Sequence, residues 1–168
     1  MLYKLVQQLN NILPIRGVSE SNNIISVMYI NQPTELQLTQ INEVIDSWPL
    51  QKSKSEKLNQ LDEIWSSTVK NGWITPSGYK LGIDIQDITL LTGAFALAKE
   101  ANSAGFTDPT YIVDTEGNSH ALSLSEFTQL MLQYGQARAT LSNSYANLKK
   151  SINEATNLEE LNAINLTI

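Results

Sequence analysis

The sequence predicts a helix-rich α+β fold, with a small N-terminal strand-helix module at residues 1–50. A domain of helices with two short β-hairpins and a long C-terminal helix follows at residues 51–168. Three observations predict it. Apolar residues recur at intervals of three and four over long stretches, as in helices with one buried face. The clearest strand, at residues 24–30, concentrates β-branched and aromatic residues before a turn-like break. Turn residues separate pairs of very short apolar segments at 73–81 and 111–122, as in hairpins.

Leu5, Val6, Leu9, Ile12 and Leu13 share one helical face and stop at Pro14, so a short amphipathic helix opens the chain. An extended stretch is expected around Ile15 to Val18. Ser19 to Asn23 is turn-like, and the strand Ile24-Ile25-Ser26-Val27-Met28-Tyr29-Ile30 runs to the break at Asn31-Gln32-Pro33. Thr34 and Gln37 form a capping box, after which Leu38, Ile41, Val44, Ile45 and Trp48 line one face. Pro49 is expected to end this helix, because an interior proline removes a hydrogen bond and crowds the preceding turn. The polar stretch Gln51-Lys52-Ser53-Lys54 then marks a domain boundary.

Ser53 and Glu56 form a second capping box, followed by Leu58, Leu61, Ile64, Trp65 and Val69 at helical spacing and an end near Asn71-Gly72. Trp73-Ile74-Thr75, Pro76-Ser77-Gly78 and Tyr79-Lys80-Leu81 read as the first hairpin. Asp84 is placed to cap the next helix, whose stripe is Ile85, Ile88, Leu91, Phe95 and Ala98, with Gly105 past its end. Tyr111-Ile112-Val113 and His120-Ala121-Leu122 flank the turn Asp114-Thr115-Glu116-Gly117-Asn118 as the second hairpin. Ser123 and Glu126 cap the longest helix, along which Phe127, Leu130, Tyr134, Ala137, Leu141, Tyr145, Leu148 and Ile152 recur. Thr156 and Glu159 give a fourth capping box, opening a short helix with Leu158, Leu161 and Ile164.

Composition narrows the function. The 168 residues, 42% of them hydrophobic, suffice for one good core or two small ones. Seventeen acidic against eleven basic residues leave a net charge of -6, with no basic run beyond Lys149-Lys150, so a nucleic-acid partner is not expected. The absence of cysteine removes disulfides, thiolate metal sites and thiol nucleophiles. No apolar run approaches the length of a membrane span, and the segment from Met1 to Gln8 mixes polar residues in too early for a secretory signal. A soluble protein without membrane insertion is expected.

Enzyme signatures are missing from the sequence. It has no phosphate-loop or dinucleotide glycine pattern, no nucleophile elbow and no His-Glu-x-x-His pair. One histidine, His120, builds no His-based metal site, and in a hairpin its ordinary role is structural. Paired acids at Asp84 and Asp87, Asp114 and Glu116, and Glu159 and Glu160 could serve glycoside chemistry, but they fall where helix starts and turns favour carboxylates. No catalytic residue, cofactor or metal is expected. Trp48 and Trp65 lie on apolar helical stripes and read as core. Trp73 and Tyr79 read either as a contact between parts of the fold or as a partner interface, and the stripe through Tyr134, Leu141, Tyr145 and Leu148 carries the same alternatives.

The elements from Lys57 onward carry a resemblance. Gly72-Trp73-Ile74-Thr75 with Gly78-Tyr79-Lys80-Leu81, Asp84 opening a helix that contains Leu91-Thr92-Gly93-Ala94, the Asp114-Thr115-Glu116-Gly117 hairpin and the closing segment from Ile152 to Ile164 together cover about the last two-thirds of the chain. They resemble a domain family of unassigned function found at the C-terminal ends of bacteriophage tail-fibre and other tail-associated proteins. The first fifty residues look similar to short N-terminal modules of phage tail proteins. This resemblance implies a location in the virion tail after synthesis in the host cytoplasm, with fibre or baseplate proteins, or further copies of the chain, as partners. It implies no chemistry. A small globular module stands here where the family often has a long fibre-forming region, which fits a compact adaptor or accessory subunit. Two alternatives stay open: a tail-fibre assembly chaperone absent from the mature particle, and a receptor- or glycan-binding tip.

Overall fold

The computed structural model describes residues 2–22 and 24–168; Met1 and Asn23, the latter within the expected turn, lie outside the described residues. The fold is the expected helix-rich α+β. Among the described residues, helices α1 (Leu2–Asn10), α2 (Glu35–Asn71), α3 (Ile85–Ser103), α4 (Leu124–Glu154) and α5 (Leu158–Ala163) alternate with strands β1 (Ile15–Ser21), β2 (Ile24–Tyr29), β3 (Trp73–Ile74), β4 (Lys80–Leu81), β5 (Thr110–Val113) and β6 (Ser119–Leu122). Each consecutive strand pair is a separate antiparallel hairpin. The chain forms two compact units, Met1–Asn59 with Ser151–Asn165, and Gln60–Lys150 with Leu166–Ile168. The expected boundary at residue 50 falls inside α2.

In the first unit, α1 buries Leu5 and Leu9 completely against Leu13, Ile15, Ile41 and Trp48. The hairpin β1–β2 covers this cluster with Ile25, Val27 and Tyr29, which alternate with exposed residues as the two-residue period of a strand requires. This hairpin corrects the expected turn. Ser19, Glu20 and Ser21 continue β1 and pair with Ser26, Ile25 and Ile24. Polar composition made them look like a loop, yet Glu20 is held in place by the Lys52 ammonium at 2.8 Å. The reversal is narrower and uses Asn22 at φ 49°, a left-handed position that asparagine tolerates.

The second correction concerns α2, which runs unbroken through Pro49, so Ser53 and Glu56 are interior helical residues and not a cap. An interior proline costs about 3 kcal/mol, and burial around it offsets that cost. Trp48 is only 3% exposed and Ile41 fully buried. Beyond the proline, the polar stretch is pinned by three ammonium groups. Lys52 meets Glu20, Lys54 Nζ donates to the Asn153 carbonyl at 2.6 Å, and Lys57 Nζ donates to the Leu161 carbonyl at 2.7 Å. Tertiary anchoring overrides local propensity here.

The start of α5 is also shifted. Its cap is Asn157, whose side chain accepts from the Glu160 N–H at 2.8 Å, while the Thr156 N–H and hydroxyl both donate to the Glu160 carboxylate. The expected Thr156–Glu159 box is thus displaced by one residue, because the neighbouring asparagine is the better cap. Ile152, Ala155 and Leu161 are buried in this unit.

The second unit is organised around Phe127, fully buried on α4, with Leu81, Ile83, Ile112, Leu130 and Tyr134. Phe95 of α3 meets Phe127 edge-on, with ring centroids 5.2 Å apart at 70°. The capping boxes predicted at Thr34–Gln37 and Ser123–Glu126 form as expected. Gly72 adopts φ 74° as α2 turns into β3, the left-handed exit glycine allows. Among the described residues no helix is long and apolar enough to cross a membrane.

Candidate functional site

The two hairpins of the second unit meet at a polar junction that the sequence did not assemble. Asp114 begins the β5–β6 turn, and its carboxylate accepts from the Glu116 N–H at 2.9 Å, the Asn118 N–H at 2.8 Å and the Asn118 side-chain amide at 3.1 Å. His120 Nε2 completes the set at 2.8 Å. An ionised carboxylate only accepts, so the Nε2 proton is on the ring. The hydrogen bond from His120, reinforced by those from Asn118 and Glu116, holds Asp114 well below the usual carboxylate range. On the other side of the imidazole, Tyr79 stacks with its ring centroid 3.9 Å away and 18° from parallel. The histidine therefore ties its own turn to the β3–β4 hairpin. Lys80 adds a backbone link, its carbonyl accepting from the Thr115 N–H at 2.9 Å. With four donors on Asp114, the arrangement serves as a turn clamp.

Of the six residues expected to offer a partner interface, Tyr134 is buried and the other five are half-buried. Tyr134 is 3% exposed, and its hydroxyl donates to the Gly82 carbonyl at 2.8 Å. Burial pushes the pKa of that hydroxyl up to about 12. Its ring is not available to a partner. Trp73 packs edge-on against Tyr134 with centroids 6.0 Å apart, and Trp73, Tyr79 and Leu141 pack on the core cluster. Tyr145 lies against Trp65, centroids 4.8 Å apart, and its hydroxyl donates to Asp62, which raises the hydroxyl's pKa. Leu148 is half-buried. Tyr134 is thus committed to internal packing, while Trp73, Tyr79, Leu141, Tyr145 and Leu148 each combine internal contacts with a partly exposed side. A long apolar period reports that a face is covered, not by what.

Exposed apolar side chains occur on several elements, and α3 and β5 carry a group of them that lines two hollows. The charged residues of α3 are Asp87, Lys99 and Glu100, and the helix buries no residue completely. Ile88, Leu91, Ala94, Phe95 and Ala98 turn toward the core. Leu90 and Leu97, two turns apart on the other side, are 66% and 73% exposed. Tyr111 and Val113 of β5, at 68% and 64%, line a groove with Leu90, and Phe106, at 66%, lines a hollow with Leu97. The sequence carried a signal for this surface, since α3 has apolar residues all round where a surface helix has a stripe.

The groove between α3 and β5 has a volume of about 320 Å³ and is walled by Leu81, Leu90, Leu91, Ala94, Tyr111, Ile112 and Val113, with Asp87 among its lining residues. Asp87 and Asp84 form the capping box that starts α3. The Asp84 carboxylate accepts from the Asp87 N–H at 2.8 Å, and the Asp87 carboxylate accepts from the Asp84 N–H at 3.2 Å. The bond from the Asp87 backbone lowers Asp84, whereas burial, with the Asp84 charge beside it, raises Asp87. Gly82 packs so closely over the Asp87 carboxylate that a Cβ there would overlap it. Glu159 and Glu160 sit in the first turn of α5, where the helix dipole favours them.

Among the described residues no group of three or more His, Cys, Asp or Glu is placed to hold a metal ion. Neither protein-family models nor curated proteins nor solved structures yield a match to this chain.

Proposed function

We propose that this chain is a non-enzymatic structural subunit of a bacteriophage tail, an adaptor or accessory component of the fibre or baseplate that acts through protein-protein contacts. The observation that carries this reading is the exposed apolar lining of two hollows beside α3, one with Leu90, Tyr111 and Val113 and one with Leu97 and Phe106. Exposed apolar groups clustered in such hollows are an ordinary mark of a protein partner. The Leu91-Thr92-Gly93-Ala94 segment, one of the more specific parts of the resemblance to tail-associated domains, belongs to the same helix. The test is quantitative mass spectrometry of gradient-purified phage particles. A fixed low copy number relative to the major tail proteins is expected. Abundance in the infected-cell lysate with absence from particles would replace the structural role by that of an assembly chaperone.

A further inference from the structure

We infer that the groove between α3 and β5 receives a segment of a partner protein in which an aliphatic side chain lies beside a lysine or arginine, the aliphatic group entering the groove and the cation meeting Asp87. The inference rests on the proposed role in one respect, that the outer face of α3 takes a protein partner, and it adds the partner's chemistry.

Two properties of the groove select that chemistry. Its walls are aliphatic or aromatic, and its volume of about 320 Å³ lies at the small end of ligand pockets, which suits side chains better than a large ligand. Its one charged lining residue is Asp87. That carboxylate is partly removed from water and has a second carboxylate, Asp84, as its neighbour. Its hydrogen bond within the chain comes from the Asp84 N–H. Among the described residues no lysine or arginine is ion-paired with Asp87. The groove's complement is therefore apolar and cationic, and an anionic ligand would meet repulsion from the Asp87 carboxylate that lines it.

The test uses the full chain, labelled with nitrogen-15, and two synthetic twelve-residue peptides. One carries three Leu-Lys pairs spaced by alanines, the other three Leu-Glu pairs with the same spacing. The Leu-Lys peptide is expected to shift the amide signals of Asp87, Leu90, Ala94, Tyr111 and Val113, and to bind about tenfold tighter than the Leu-Glu peptide, the scale of one charge-assisted hydrogen bond. Leu90→Ser, at an exposed position, is expected to weaken binding by a similar factor, whereas Leu132→Ser, on the exposed side of α4, leaves it unchanged. Asp87→Asn keeps a hydrogen-bond acceptor for the helix cap and is expected to erase the preference between the peptides.

Equal binding of both peptides, no binding of either, or shifts centred on other residues would overturn the inference. Shifts at the same groove residues on raising the protein concentration without peptide would also overturn it, giving the groove to a second copy of the chain. The peptide result and the particle result are separable. Absence from particles with a retained Leu-Lys preference removes the tail role alone, and presence in particles without that preference removes the groove assignment alone.

Discussion

Replacing Gly72 and Gly78 by alanine, one at a time, separates two costs that coincide in most glycine substitutions. Both residues sit in the left-handed region, at φ 74° and 89°, at either end of the β3–β4 hairpin. An alanine at Gly78 meets nothing within 4 Å. It incurs only backbone strain of about 1–2 kcal/mol, partly offset by about 0.4–1 kcal/mol from a less flexible unfolded chain. The net expectation is a loss of about 1 kcal/mol. At Gly72 the same Cβ would stand 2.5 Å from the Leu81 carbonyl oxygen. That oxygen cannot swing aside as a side chain would, because Leu81 is paired with Trp73 and is itself 1% exposed. Relief requires the short strand pair to open, adding about 1–2 kcal/mol for a disrupted hydrogen bond and its desolvated partner. Gly72→Ala should therefore cost about 2–3 kcal/mol, roughly 1 M in urea midpoint at a typical slope. Urea unfolding followed by circular dichroism and tryptophan fluorescence measures both variants. Losses equal within about 0.5 kcal/mol, near the limit of such comparisons, would show that the close approach of β4 to Gly72 has no energetic weight.

Phe127→Ala removes the fully buried centre of the second unit and its edge contact with Phe95, and should cost about 3–5 kcal/mol. A loss below about 1 kcal/mol in the same urea assay would mean that the cluster is not organised around this ring. Tyr134→Phe loses the bond to the Gly82 carbonyl and about 1 kcal/mol. Because the pKa of the Tyr134 hydroxyl is pushed up to about 12, its contribution is whole below the ordinary tyrosine value of about 10 and is lost as pH climbs through the raised value. The ultraviolet tyrosinate titration below about pH 10 should then be the same with and without this hydroxyl, and a missing equivalent in the variant would contradict its burial. Asp114 shifts the other way. Its depressed folded value gives stability that is present above the unfolded value of about 3.9 and lost as pH falls from there toward the folded one. Melting temperatures measured from neutral to acid pH should fall more steeply for the wild type than for Asp114→Asn, and parallel curves would count against the clamp.

Local signals were legible where a residue answers to its immediate neighbours. The boxes at Thr34–Gln37 and Ser123–Glu126, the Asp84 cap and the left-handed exit at Gly72 all appear as the sequence predicts. Each depends on residues within about one helical turn of one another. The Pro49 stop, the Ser53 box and the polarity of the Ser19–Ser21 stretch misled for the opposite reason. Lys52, Lys54 and Lys57 find Glu20 and the carbonyls of Asn153 and Leu161, partners remote in sequence that no periodicity encodes. At the candidate site, Asp114 and His120 were each visible as hairpin residues. Their mutual bond, closed across one turn, and the stacking of Tyr79 were not, the first because it depends on how the turn folds and the second because it joins two hairpins separated by a helix.

The sequence by itself determined the helix-rich α+β class, the two short hairpins of the second unit, most helix starts and which residues are apolar enough to be buried. Periodicity and capping are properties of contiguous chain, so one dimension suffices for them. Only the tertiary structure decided which apolar faces are covered. It placed Tyr134 inside with Trp73 half-buried against it, left Leu90, Leu97, Tyr111 and Val113 outside, and carried α2 through its proline. Burial is settled by what arrives from elsewhere in the chain, and a helix apolar on both sides, as α3 is, reveals its outward face only once the inward one has been packed.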